Sequence, residues 1–432
     1  MSLIRSPWMR VLLVAMALGT AWAVRGQFGH EHGAAWAGAI GVLSVLVLAN
    51  RSDWWRRLPT IASLGAIGWG AGGMMSYGMV VGYGRGDDWF NVSYGLCMLF
   101  LIGGLYGYIG GGLTGLALES TKKKKPDWAI LITQMVAGGY LIWGILIYQL
   151  EWLMTPPRSE LWAACLGAAL ALGWYLNCNG FQRSITAALY SSLGAGFGFA
   201  FGNFLQVLGS ASGLMFNWWN VMEYSIGFFG GLGMAYSIFS QNWSESRLPD
   251  KISNQLGWIF LIILLPLTNL IQQFNTEKFT VLAERIDIVN GESITQLTLN
   301  IAWGGSLLIS ILLMIFFWRK VSGISDWKLN NTWWLLMIYL GLFIFLSGFL
   351  TGAHWGYGSL RDILYWLNTL FILLLGRVVL SPTANSRLPQ SKSAQAIQLG
   401  VVSVLLLLAL SWILVQSHGE LPGEQIRFSL WK

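Results

Sequence analysis

Arg25-Gly26-Gln27-Phe28-Gly29-His30-Glu31-His32-Gly33 is the stretch around which the rest of the chain is organised. It sets a cation, an amide, two histidines and a carboxylate between two apolar runs. The nearest flanking charges are Arg10 and Arg51, so residues 11–50 must hold everything between them. A membrane-spanning helix takes about 20 apolar residues to cross a hydrocarbon core of about 30 Å. Two spans therefore use up the interval and leave no room for an external loop. Either both helices are short, or the polar stretch enters the depth of the bilayer, where backbone and charge need protein or water partners. Ionisable groups at that depth mark a candidate functional site. The plainer alternative is a tight polar turn at headgroup level.

Composition settles the class. The chain has 432 residues, 55% hydrophobic and 10% charged, against about 25% charged in a soluble domain. Its mean hydropathy is +0.57. These values predict an all-α polytopic membrane protein whose first partner is the lipid bilayer. Cys97, Cys165 and Cys178 are scattered and odd in number, giving neither a disulfide framework nor a metal-ligand spacing. The net charge of +7 is spread over the loops and does not read as nucleic-acid binding. There is no glycine-rich nucleotide loop ending in Lys-Ser/Thr, so no ATP-driven domain is expected. Nor does a haem suggest itself, because all four histidines fall near outer helix ends; the sequence names no cofactor.

About thirteen apolar spans follow, near 11–25, 34–50, 60–82, 92–117, 128–149, 161–176, 185–208, 220–240, 256–272, 298–318, 332–352, 361–379 and 397–416. Lys and Arg are retained on the cytoplasmic side. An inner (plasma) membrane location with a cytoplasmic amino terminus and an external carboxyl terminus leaves only Arg25, Arg85, Arg158, Lys278, Arg285, Arg361, Arg427 and Lys432 outside, out of 26 basic residues. The Lys122–Lys125 run anchors that topology. A competing reading takes Arg5, Arg10, an apolar run and Ala21-Trp22-Ala23 as a secretory signal, and cleavage there would leave twelve spans.

A shift of 126 residues aligns Gly68, Gly70 and Gly72 with Gly194, Gly196 and Gly198, Phe90-Asn91 with Phe216-Asn217, and Gly104 and Gly107 with Gly230 and Gly233. This suggests parallel repeats of four-helix units, a familiar transporter device: residues 1–118, then 119–243, then a five-helix unit over 244–432 with an outer loop at 272–297. The glycines also predict close helix packing. Within the outer loop, Ile286-Asp-Ile-Val, Asn290-Gly291 and Ser293-Ile-Thr read as a small β-hairpin.

In this topology the polar and aromatic clusters other than the basic loops fall at outer helix ends. The candidate binding or coupling residues are Arg25, Gln27, His30, Glu31 and His32; Arg85, Asp87, Asp88, Trp89 and Asn91; Asn217, Trp218, Asn220 and Glu223; and His354, Trp355, Tyr357, Arg361 and Asp362. Opposite charges within the set lower the cost of burying it in one outward-facing cavity. Three functions fit. The leading one is a permease for a small polar, sugar-like solute, with aromatic faces against ring faces, amides and charges making directional bonds, and Glu31 or Glu223 carrying a coupling proton; sodium is the other coupling ion. The second is a membrane enzyme on the outer face, a hydrolase or transferase using either a metal on His30, His32 and His354 or paired carboxylates such as Glu31 and Asp87. Histidines two apart point to different sides of a helix, which argues against the metal unless the backbone breaks there. The third is a non-catalytic subunit binding lipid or a partner.

Overall fold

The computed structural model describes residues 6–155, 160–246, 250–285, 291–321, 328–380 and 388–428, and among them every regular element is helical. The order is α1 (Pro7–Arg25), α2 (Glu31–Ala49), α3 (Ser52–Trp55), α4 (Leu58–Gly73), α5 (Gly78–Tyr83), α6 (Trp89–Glu119), α7 (Trp128–Trp143, continued by a π turn, Gly144–Gln149), α8 (Leu161–Cys178), α9 (Gln182–Ala211) and α10 (Trp218–Ser240). Then come α11 (Lys251–Ile259), a π turn (Phe260–Leu264), α12 (Leu265–Gln273), α13 (Thr276–Arg285), α14 (Gly291–Val321), α15 (Leu329–Thr351), a 3₁₀ turn (Ala353–Trp355), α16 (Leu360–Val379) and α17 (Ser393–Ser417). The π turn before α12 has a local cause: Pro266 has no N–H to return to the Ile262 carbonyl.

Among the described residues eleven helical segments are long and apolar enough to cross a membrane, which makes this a polytopic, membrane-embedded chain. Two of the expected spans fall outside that set. The segment at 60–82 is not one helix: α4 has 16 residues and stops at Gly73, and the chain restarts as α5 after a break at residues 74–77. The helix α10 has 23 residues but is less apolar. The expected β-hairpin is also corrected. Gly291–Thr295 form the first turns of α14, while residues 286–290 lie outside the described residues. So do Arg158, Lys432 and the side chain of Arg285 from the outer basic set.

Turns sort to two ends of the bundle. At one, Arg51 donates to the Trp243 and Ser244 carbonyls, Arg57 donates to the Ala117 and Ser120 carbonyls and to Ser246, and Lys124 donates to the Gly180 carbonyl. At the other, Asn269 donates to the His32 carbonyl, Arg85 to the Pro422 carbonyl and Asn220 to the Ala23 carbonyl. We call these the lysine end and the histidine end.

The centre is built on glycine. In α6, Gly103 lies against the Ala195 carbonyl and Gly107 against the Ser191 carbonyl of α9. On the other side of α9, Gly194 and Gly198 meet the backbone of α10 at Phe229 and Ser225, and Gly233 of α10 meets the Tyr190 carbonyl. A methyl group at any of these would collide with backbone, so the small face is what lets three helices touch at main-chain distance. The hairpin α1–α2 is equally central, with nearly all of α2 buried. The hairpin α7–α8, which the 126-residue shift equates with it, lies on the rim, with only Leu131 and Gly139 of α7 fully buried. Exposed Leu, Ile and Val on α7, α14, α16 and α17 present the apolar outside of a membrane protein.

Candidate functional site

Arg25 ends α1 and is fully buried. Its Nη2 donates to Glu223 Oε2 at 2.7 Å and to the Tyr77 hydroxyl at 2.9 Å, and that hydroxyl donates to Glu223 Oε1 at 2.6 Å. The three groups close a ring of hydrogen bonds. Arg25 Nη1 lies 3.4 Å from His30 Nδ1. Because guanidinium only donates, His30 accepts there and carries its proton on Nε2. The guanidinium also sits over the Trp22 and Tyr77 rings, 4.8 and 5.7 Å from their centroids.

Each element brings its residue for a local reason. The helix α4 stops where Gly72 and Gly73 are followed by Met-Met-Ser, and Tyr77 (φ −142°) precedes the restart at Gly78. Gly68, Gly72 and Gly73 press α4 against Gly110, Tyr106 and the His30 carbonyl, which sets the break beside the Arg25–Gly33 turn. Glu223 faces inward from α10, at the level where Gly202 of α9 meets the Met222 carbonyl. From Gly202 to the end of α9 at Ala211 is about 13 Å at 1.5 Å per residue. The ion pair therefore lies inside the helical bundle, below the level at which α9 ends.

Aromatic rings wall the cluster. Trp22 meets Trp69 at 5.2 Å and Tyr106 at 5.6 Å, Tyr77 meets Phe199 at 4.9 Å and His30 at 5.1 Å, and Trp219 stacks on Tyr77 at 6.4 Å. His30 and Trp219 are exposed, and each packs against the buried Tyr77 ring. Burial, and then the neighbouring Arg25 cation, push the His30 imidazole below its ordinary value. Arg25 Nε and the indole N–H groups of Trp22 and Trp69 are buried without a protein partner among the described residues.

The other candidates separate into distinct jobs. Gln27 is half-buried in the turn and Glu31 is exposed, 3.7 Å from His32 Nδ1. Asn217 caps α10 through the Asn220 N–H, and Trp218 donates to the Leu214 carbonyl. Asn220 adjoins the cluster, donating to the Ala23 carbonyl while accepting from Tyr365 at 2.8 Å. Asp88 caps α6, Trp89 donates to the Leu408 carbonyl and Asp87 is exposed. Arg85 and Asn91 hold the carboxyl-terminal segment 421–428, Asn91 accepting from the Arg427 and Phe428 N–H groups. His354 bonds the Phe345 carbonyl and packs against Phe345 and Phe349, Trp355 leans on Phe349, and Tyr357 is exposed. Asp362 forms a capping box with Ser359, and Arg361 lies 3.8 Å from Asp362. Of the far-apart segments, then, the first and third converge at Arg25, His30 and Glu223, while the Gly82–Asn91 and His354–Asp362 turns serve other contacts. Among the described residues no three His, Cys, Asp or Glu side chains gather closely enough to hold a metal.

Tyr77, Tyr106, Trp22 and Phe199 escaped the sequence reading. The available signal was Gly72-Gly73-Met-Met-Ser76-Tyr77-Gly78, a glycine-flanked polar pair inside an apolar run, which is a helix-break pattern.

Fold and site together define a polytopic helical membrane protein with a buried ion pair closed by a residue from a broken helix. Comparison with models of known families, with curated proteins and with solved structures finds no match.

Proposed function

We propose that the protein is a permease for a small polar solute, with Arg25, Tyr77 and Glu223 at its binding and gating point. The observation that carries this reading is that a helix break supplies the residue closing a buried ion pair. Discontinuous helices near the membrane interior are how transporters bring polar groups to a midplane solute, and a charge pair at that depth is otherwise costly. A solute hydroxyl can replace the Tyr77 hydroxyl between Arg25 and Glu223, exchanging one set of hydrogen bonds for another. The Trp22, Tyr106 and Tyr77 rings would receive the apolar face of a sugar-like ring. A proton on Glu223 would cancel the pair and release Arg25 to the solute, which couples movement to a proton gradient. Glu31, exposed and outside the ring of hydrogen bonds, is the weaker candidate for that role.

The test is exchange across proteoliposomes, with a panel of labelled sugars, polyols and amino acids on one side and the unlabelled compound on the other. Exchange of at least one compound is expected, with a large loss in Tyr77→Phe. Turnover of a compound in detergent with no exchange by any panel member would favour the enzyme reading instead.

A further inference from the structure

Outside the site, an apolar groove of about 520 Å³ lies between the body (α4 and α6) and the rim hairpin (α7 and α8). One full face of α7 lines it: Trp128, Leu131, Met135, Gly139 and Trp143 recur at helical spacing. From Trp128 to Trp143 the groove runs about 22 Å at 1.5 Å per residue. Its far wall includes Leu64 and Ile67 of α4, and it opens sideways past Ile132, Val136 and Tyr140, all exposed. Both ends carry a tryptophan, the side chain enriched at membrane–water interfaces.

The two ends differ in charge. Trp128 follows directly on Lys122-Lys-Lys-Lys125-Pro-Asp127. That loop is pinned in place: Lys124 Nζ donates to the Gly180 carbonyl at 2.7 Å and lies 4.1 Å from the centroid of the Phe181 ring, and the Asp127 N–H donates to the Tyr175 hydroxyl at 2.6 Å. Asp127 itself is turned to the first N–H groups of α7, capping Ile130. Lys122, Lys123 and Lys125 are left exposed beside the groove mouth. Beyond Trp143, at the opposite end, Glu151 and Glu160 are exposed.

We propose that this groove is a binding site for an anionic glycerophospholipid, one acyl chain lying along α7 and the phosphate among Lys122, Lys123 and Lys125. An all-apolar trough open to the bilayer selects a hydrocarbon chain. A basic cluster at one mouth of such a trough selects an anionic headgroup and fixes which way round it lies. The proposal is independent of the permease reading.

The experiment is native mass spectrometry of the full chain in detergent, titrated with phosphatidylglycerol and phosphatidylcholine of identical chains. Wild type should retain phosphatidylglycerol with a preference of about tenfold or more, from three cations near the headgroup. Lys122→Gln/Lys123→Gln/Lys125→Gln should bring the two lipids level without lowering the melting temperature in phosphatidylcholine, since all three side chains are exposed. Val136→Trp, which fills the trough from its open side, should weaken both lipids together. Equal retention of the two lipids by wild type, or an unchanged preference in the lysine variant, would overturn the proposal. So would displacement of the lipid by free glycerol phosphate, which would mark a site for a soluble anion.

Discussion

Arg25 and Glu223 stand 198 positions apart in the chain and 2.7 Å apart in space. Each is almost wholly shielded from solvent, so neither charge has water to fall back on. Glu223 accepts from both Arg25 and Tyr77, which offsets part of the cost of taking the pair out of water. Together with the Asn220 bond to the Ala23 carbonyl, the pair ties α1 to α10.

Removing one member of the pair leaves the other charge buried alone. Arg25→Met or Glu223→Leu singly should each cost about 3–5 kcal/mol, whereas the double variant should cost much less than the sum of the two. Melting temperatures in detergent for the four proteins form the cycle. Additive losses would mean that the two side chains do not act as a pair.

Tyr77→Phe keeps the ring against Phe199 and Trp219 and deletes only the hydroxyl. A loss of about 1–3 kcal/mol is expected, because Glu223 Oε1 is left without that donor. Thermal unfolding of the variant measures it. No loss would show that the hydroxyl contributes nothing to holding the ring of hydrogen bonds.

His30 supplies a pH dependence with a definite sign. Its folded pKa lies below the ordinary histidine value of about 6.5, so the unfolded chain binds the proton more tightly. Stability is therefore full above that ordinary value and declines as pH falls below it. Melting temperature measured downward from pH 7.5 should fall more for wild type than for His30→Gln. Equal slopes would remove His30 from the polar cluster's electrostatics.

Glycine positions separate by what surrounds them. Gly107→Ala places a methyl group against the Ser191 carbonyl of the neighbouring helix and should cost about 1–3 kcal/mol or prevent expression. Gly400→Ala in α17 meets open space and should be neutral or slightly stabilising, since alanine favours the helix. Folded yield and melting temperature of the two variants decide it. Equal behaviour would contradict close packing of α6 on α9.

Asn91 stands in for a backbone partner of the carboxyl-terminal segment, accepting from the Arg427 and Phe428 N–H groups at 2.6 and 2.9 Å. Asn91→Ala should free that segment and speed tryptic cleavage after Arg427, read by intact mass. An unchanged cleavage rate would mean that Arg85 and the Gly82 and Arg85 carbonyls hold the segment without it.

Much of this fold can be read from the chain because apolar length is a strong signal: helices stand at every expected span, though 60–82 is interrupted. That Arg25 stands at a tight turn between two apolar helices also follows from simple spacing. Partner choice is harder. Glu223 and Asp362 look alike in sequence, each acidic and near a helix start, yet one is buried against Arg25 and the other caps its own helix. What separates them is three-dimensional, namely which turns the glycine faces draw together. The break that delivers Tyr77 is hidden for the same reason, because hydropathy averaged over 60–82 smooths across it. The β-hairpin expectation fails because Asn-Gly also suits the entry to a helix, and Gly291 is the first residue of α14.

The most direct measurement is uptake of the exchanged solute into proteoliposomes under an imposed pH gradient, comparing wild type, Glu223→Gln and Glu31→Gln. If the buried pair is the coupling and binding point, wild type and Glu31→Gln accumulate solute in response to the gradient and Glu223→Gln does not. Gradient-driven accumulation by Glu223→Gln equal to wild type would contradict that role for the pair.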